Sequence, residues 1–304
     1  MTNPLLHVPV LLEPIRARAL GSKRVVDATL GHGGHAAAFL ADGAKVLGID
    51  RDPDAITTAR ARLGESGIEY LQAAYASPEA LAAVARFRPG FILLDLGVSS
   101  RQLDEADRGF TFRAGAPLDM RMGPDAPTAA EWLAETEEGE LADVFYQYAD
   151  ENRSRRLAAE IVRRRGNAPF LVSDDLVNAI RGALGPKSGP PDFARIFQAV
   201  RIAVNEELTG LEEALPAFRD ALVPGGTLAV ISYHSGEDRL VKGAFRDWGS
   251  GCVCPPGLPQ CVCGREPQGR AEPRKAIVPD QAELIANVRS RSAKLRFFRI
   301  NDAG

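Results

Sequence analysis

Along this chain, apolar residues gather into short continuous runs that end in glycine or an acid. Val25-Val26 leads into Asp27-Ala28-Thr29-Leu30-Gly31-His32-Gly33-Gly34-His35, and Lys45-Val46-Leu47-Gly48-Ile49-Asp50 follows a helix-like segment. A β-branched run broken by glycines predicts strand, tight turn, helix and strand, with the turn free to approach a ligand closely. Three further runs, Ile68 to Gln72, Phe91 to Asp95 and Gly226 to Tyr233, read as strands. Phe91 to Asp95, a continuous apolar run ending in an acid, suits a parallel strand buried on both faces. The alternating Lys294 to Ile300, with Lys275 to Val278, is expected to add an antiparallel pair and complete a seven-stranded α/β sheet.

Between Asp95 and Gly226 the chain is far longer than one crossover helix needs, so an inserted domain is expected, about residues 107–193, between sheet-domain parts at 1–106 and 194–304. Helical punctuation fills it. Thr128-Ala129-Ala130-Glu131 fits a capping box, and Ser173 precedes an apolar-periodic helix stopped by Gly185-Pro186. The helix from Asn152 to Arg165 carries six arginines and no lysine, which favours phosphate contact over an ordinary solvated face. A long helix from Phe193 to Leu208 then returns to the sheet.

Composition narrows the class. With 304 residues and 45% hydrophobic content the chain supports a large core, and a net charge of −3 excludes a nonspecific polyanion binder. No apolar run approaches the ~20 residues of a membrane span, and the first residues form no leader, so a cytoplasmic location with no membrane partner is expected. Four cysteines stand together as Cys252-Val253-Cys254 and Cys261-Val262-Cys263. Their C-x-C pairs differ from the C-x2-C pairs of a zinc ribbon, so a free thiol cluster is the default and no metal ligand is assigned.

The chemistry concentrates at strand ends. Asp50 closes the second strand, where an acid can accept from a ribose diol. Asp27 stands beside a glycine turn that lacks G-x-G-x-x-G spacing, which disfavours a dinucleotide and favours a cationic nucleoside, S-adenosylmethionine. Asp95 is delivered by a buried strand to the same edge, Tyr75 follows the third strand where a ring can stack on adenine, and His234 follows the fifth.

Taken together, His7 to Leu12, Asp27 to His35, Gly48 to Asp52, Leu93 to Ser100, Pro117 to Arg121, Phe197 to Ile202 and Ser292 to Arg296 resemble the MraW (RsmH) family. The resemblance implies a Rossmann-like class I methyltransferase sheet with an inserted helical substrate-binding domain. It implies S-adenosylmethionine as donor, N4 of a decoding-centre (P-site) cytosine of 16S ribosomal RNA as acceptor, and the small ribosomal subunit or its assembly intermediate as partner. A homodimer is kept open. Gly33, Gly34 and His35 are then expected at the methionine part of the cofactor, Asp50 at the ribose and Tyr75 at the adenine, with Asp95 and Gln102 completing the pocket. Tyr233 stands where the family commonly has phenylalanine, and Gly236 where it has leucine. Asp95 and the Ser99 hydroxyl are the expected acceptors for the amine hydrogens, with His234 holding the base or taking the proton. No cysteine follows the fourth strand, which favours transfer to nitrogen over C5. The rival readings are a methyltransferase of another amine substrate, in DNA or a small molecule, and a non-catalytic RNA-binding assembly factor.

Overall fold

The computed structural model describes residues 9–97, 105–252, 254, 260 and 262–303. The chain divides into two units, Met1–Gly97 with Leu208–Gly304, and Val98–Glu207.

The first unit is built on strands β1 (Arg24–Asp27), β2 (Lys45–Asp50), β3 (Ile68–Gln72), β4 (Phe91–Asp95), β5 (Thr227–Ser232), β6 (Gly269–Ala271) and β7 (Lys294–Ile300). Their order in the sheet is β3-β2-β1-β4-β5-β7-β6. The first five run parallel and β7 is antiparallel to both its neighbours. This is the Rossmann-like class I methyltransferase sheet, with helices on both faces. Successive strand residues alternate between two apolar clusters. Val25, Leu93 and Ile231 pack with Ile15 of α1 (Leu12–Ala19) and Phe39 of α2 (Gly34–Ala41), while Val26, Leu94 and Val230 pack with Val84 of α4 (Pro78–Phe87) and Phe218. The continuous apolar runs are thus strands covered on both sides.

Helix α3 (Pro53–Leu63) begins as its sequence dictates, with Asp52 accepting from Asp54 N–H at 3.0 Å and Pro53 at its first position. One expectation about the sheet's finish is corrected, that of a strand at Lys275 to Val278. The sixth strand is Gly269–Ala271, whereas Ile277 contributes only an isolated bridge to Leu295. Opposite β7, Arg270 pairs with Arg299 and Ala271 with Phe298, a strand set by its partner with no pattern of its own.

The second unit is helical: α5 (Ala129–Glu135), α6 (Glu138–Ala149), α7 (Ser154–Arg165), α8 (Ser173–Leu184) and α9 (Pro190–Val204), around a core that includes Leu133, Phe145, Ile161, Ile180 and Phe197. Its extent differs from the expected 107–193. Phe193, Ile196, Phe197, Val200 and Val204 all pack into this core, so the long helix belongs here and does not serve as the return to the sheet. The return is α10 (Glu207–Ala221). Thr128 and Glu131 make the expected capping box. At α8, by contrast, Ser173 is already helical, and Asp175 caps by accepting from Leu171 and Val172 N–H. No helix among the described residues is long and apolar enough to cross a membrane.

Candidate active site

Because β1, β2, β4 and β5 run parallel, their carboxyl ends share one edge, and each delivers a polar group there. The turn after β1 is tied between the neighbouring strands: Ala28 N–H donates to Leu93 O at 2.9 Å and Leu30 N–H to Ile49 O at 2.8 Å. Gly33 then takes a φ of 74°, and a Cβ there would come within 2.6 Å of Leu63 Cδ1. The backbone therefore needs glycine at this point. Gly34 is constrained by space alone, since a Cβ would come within 2.6 Å of Pro9 Cγ. Helix α2 starts immediately afterwards with neither a side-chain cap nor an acid in its first turn, leaving its amide end open to an anionic group.

Asp27 at the end of β1 is buried, and Thr29 N–H gives it only a long hydrogen bond of 3.4 Å. Burial pushes its carboxyl up to about 7, Asp95 and Asp50 add to the rise, and the His35 charge opposes it. Asp50 accepts from Gly31 N–H at 2.7 Å and Asp52 N–H at 2.9 Å, so its first task is to pin the glycine turn. Each of its oxygens retains a lone pair for a further donor. Burial still raises it to about 6 against the lowering effect of those two bonds.

Asp95 sits between three elements. Its backbone N–H donates to Thr29 Oγ1 at 2.6 Å, the Tyr233 phenol donates to Oδ1 at 2.8 Å, and Oδ2 faces His35 Nε2 at 3.6 Å. Its side chain is 24% exposed, enough to meet a ligand, while that of His35 is 6% exposed. Both ring nitrogens of His35 are buried and without a hydrogen-bond partner among the described residues. Tyr233 is held neutral, its phenol pushed far above the ordinary range by burial and by Asp95.

After β5, His234 caps α11 (Ser235–Trp248): its Nδ1 accepts from Gly236 and Glu237 N–H at 3.2 and 3.4 Å. Nδ1 is therefore the unprotonated nitrogen, and Nε2 carries the hydrogen of the neutral ring. Nε2 lies 3.2 Å from Glu237 Oε1 without hydrogen-bond geometry. Tyr75, three residues beyond β3, is half-buried against the apolar cluster that contains Val84 and Phe218. Ser99 and Gln102 lie outside the described residues. Among the expected site residues, Gly33, Gly34, His35, Asp50 and Asp95 gather around the first turn of the sheet edge. Tyr233 and Thr29 join them as hydrogen-bond partners of Asp95 that sequence reasoning did not assign, because the Tyr233 contact spans 138 positions.

A family model described as the MraW methylase family matches residues 4–301. The chain belongs to the MraW methylase family. It is a methyltransferase whose methyl donor is S-adenosylmethionine. Its relatives include proteins named ribosomal RNA small subunit methyltransferase H, from Gemmatimonas aurantiaca at 57% identity over 96% of this chain and 95% of the relative, and from Heliobacterium mobile at 46% over 95% and 97%. One from Rubrobacter xylanophilus is 45% identical over 95% and 94%.

The residues present fit this donor. A sulfonium and an ammonium suit a rim that holds three carboxylates, two of them with raised affinity for positive charge in the form of protons. The uncapped start of α2 suits a carboxylate, and the unpartnered nitrogens of His35 supply buried polar atoms with bonds still to make.

Proposed function

We propose that this methyltransferase acts on 16S ribosomal RNA in the small ribosomal subunit or its assembly intermediate, and that its acceptor is N4 of a P-site cytosine. Full-length similarity to proteins named for small-subunit ribosomal RNA supports the substrate class. The observation that carries the chemistry is the cluster of Asp27, Asp95 and the unpartnered His35 beside a glycine turn.

When bound, S-adenosylmethionine supplies an electrophilic methyl group. Asp27 and Asp95 are assigned to its positive end, the backbone of Gly33 and Gly34 with His35 to the methionine part, Asp50 to the ribose and Tyr75 to the adenine. The Cβ directions of the two glycines are filled by Leu63 and Pro9, so their backbone edge is what remains for the ligand. Gln102 completes the pocket in this reading.

Cytosine N4 is a weak nucleophile because its lone pair is delocalised into the ring. The protein must therefore align it and accept its hydrogens. Asp95 serves as acceptor, with the Tyr233 phenol fixing one oxygen and leaving the other available. Ser99 is proposed as the second acceptor. His234 holds the base and does not take the proton, since its basic nitrogen is spent on capping α11 and Nε2 can only donate. In the helical unit, Arg155 and Arg156 are exposed and are assigned to the RNA backbone. Tritium transfer from labelled S-adenosylmethionine to small-subunit RNA, followed by mapping of N4-methylcytidine in cells with and without the protein, tests the assignment. Label in another base or position, or in DNA alone, would overturn it.

A further inference from the structure

Between α11 and β6, the described residues of one loop are tied to one another. Its base is tied by Gln268 N–H to Trp248 O at 2.9 Å and by Arg265 Nη2 to Asp247 O at 2.7 Å. Ser250 Oγ fixes the first limb by donating to Cys252 O at 3.1 Å. Within this frame the sulfur atoms of Cys252, Cys254 and Cys263 all lie within 4.8 Å of one another, although no buried core draws them together: Cys252 and Cys263 are exposed and Cys254 is half-buried.

We propose that Cys252, Cys254 and Cys263 form a site for a soft divalent cation, zinc being the reference ion. In a tetrahedral site with Zn–S bonds of about 2.3 Å, neighbouring sulfurs stand roughly 3.8 Å apart. Cys252 and Cys263, from opposite limbs of the loop, have their sulfurs 3.9 Å apart, the spacing of two ligands on one ion. A disulfide needs about 2.05 Å and would leave the third sulfur unused. Two backbone amides already point at sulfur: Cys254 N–H donates to Cys252 Sγ and Val262 N–H to Cys254 Sγ, each at 3.4 Å. Such donors stabilise the thiolate form that a metal requires. Cys261 lies outside the described residues, and three thiolates suffice for a tetrahedral ion with one position left to water or another donor.

Binding replaces three S–H bonds by three S–metal bonds and delivers three protons to solvent, with no change of oxidation state. The ion would join the two limbs of the loop, removing closure entropy.

The full chain, reduced and stripped of metal without oxygen, is titrated with Co2+ and followed by absorption. The expected result is about one cobalt per chain, with a sulfur-to-metal charge-transfer band and the strong visible bands of four-coordinate cobalt, all bleached by Zn2+. Cys252→Ser and Cys263→Ser should each lose the charge-transfer band while circular dichroism stays unchanged. Absence of that band in the wild type, or its persistence unaltered in both variants, overturns the proposal. Should a variant misfold, the wild-type spectrum and stoichiometry decide alone.

Discussion

The two units treat buried charge in opposite ways. In the helical unit several buried or half-buried carboxylates meet a guanidinium: Glu151 meets Arg195 at 2.7 Å, Glu207 meets Arg201 at 2.8 Å, and Glu160 binds both Arg163 and Arg164, while Asp174 and Asp175 accept from backbone N–H groups. Arg163 and Arg164 hold Glu160 down at about 2. At the sheet edge, Asp27 and Asp50 are raised instead, and His35 is buried with neither nitrogen hydrogen-bonded among the described residues. A charge matched inside the chain supports the fold. One left unmatched costs stability and persists where a ligand completes it.

The largest test of this contrast is Asp95→Ala. Loss of an acceptor at the reacting amine should lower single-turnover methyl transfer about 10²- to 10⁴-fold, with the circular dichroism spectrum unchanged. Near wild-type turnover in a folded variant would remove Asp95 from the chemistry.

Asp27→Asn should weaken S-adenosylmethionine binding roughly 10- to 100-fold while making the ligand-free protein more stable at neutral pH. The sign follows from linkage. A carboxyl at about 7 in the folded state, against an ordinary value of 3.8, binds more protons folded than unfolded between those limits, so stability falls as pH rises through that window. The loss is on the order of 4 kcal/mol at most, and the asparagine variant should flatten it. Denaturant midpoints of the ligand-free protein from about pH 4 to 8 measure this.

Glu151→Ala should do the reverse, costing roughly 2 kcal/mol at neutral pH by leaving Arg195 only the longer contact to Asp192 as a carboxylate partner and freeing Arg153 N–H, without changing cofactor affinity. Urea denaturation and calorimetry on one preparation separate the two effects. A stabilised Glu151 variant, or a destabilised Asp27 variant, would break the comparison.

The smallest effect is expected at Arg155 and Arg156. Replacing both by alanine should lower RNA affinity about tenfold and reduce the salt slope by about 1.4, the change for two lost phosphate contacts on single-stranded RNA. The same change at Arg163 should leave RNA binding alone, because Glu160 already holds it.

How much of this was legible in the sequence depends on whether a residue's partner is local. The five parallel strands and the glycine turn are written as apolar runs with punctuation, and the acids at their ends point to the edge because parallel strands share a direction. Strand β6 could not be read, since three residues including a charged Arg270 carry no period and are ordered by β7. Nor could the end of the insertion: α9 has the same helical spacing whichever core it enters, and only the packing of Phe197 and Val200 assigns it. The arginine run looked uniform, yet Arg153 donates to Leu184 O and Arg165 to Leu133 O and Thr136 O, long-range contacts that leave Arg155 and Arg156 as the pair facing solvent. The cap of α11 likewise shows which His234 nitrogen is occupied, something the residue type alone does not carry.

The most direct test of the unmatched rim is calorimetric titration of the full chain with S-adenosylmethionine near pH 7, in two buffers of different ionisation enthalpy. A cation settling beside Asp27 should drive off its proton, so binding heats should differ between buffers by an amount equivalent to about half a proton per site, and Asp27→Asn should abolish the difference. Equal heats in both buffers for the wild type, with binding otherwise intact, would show that the buried carboxylate does not meet the donor's charge.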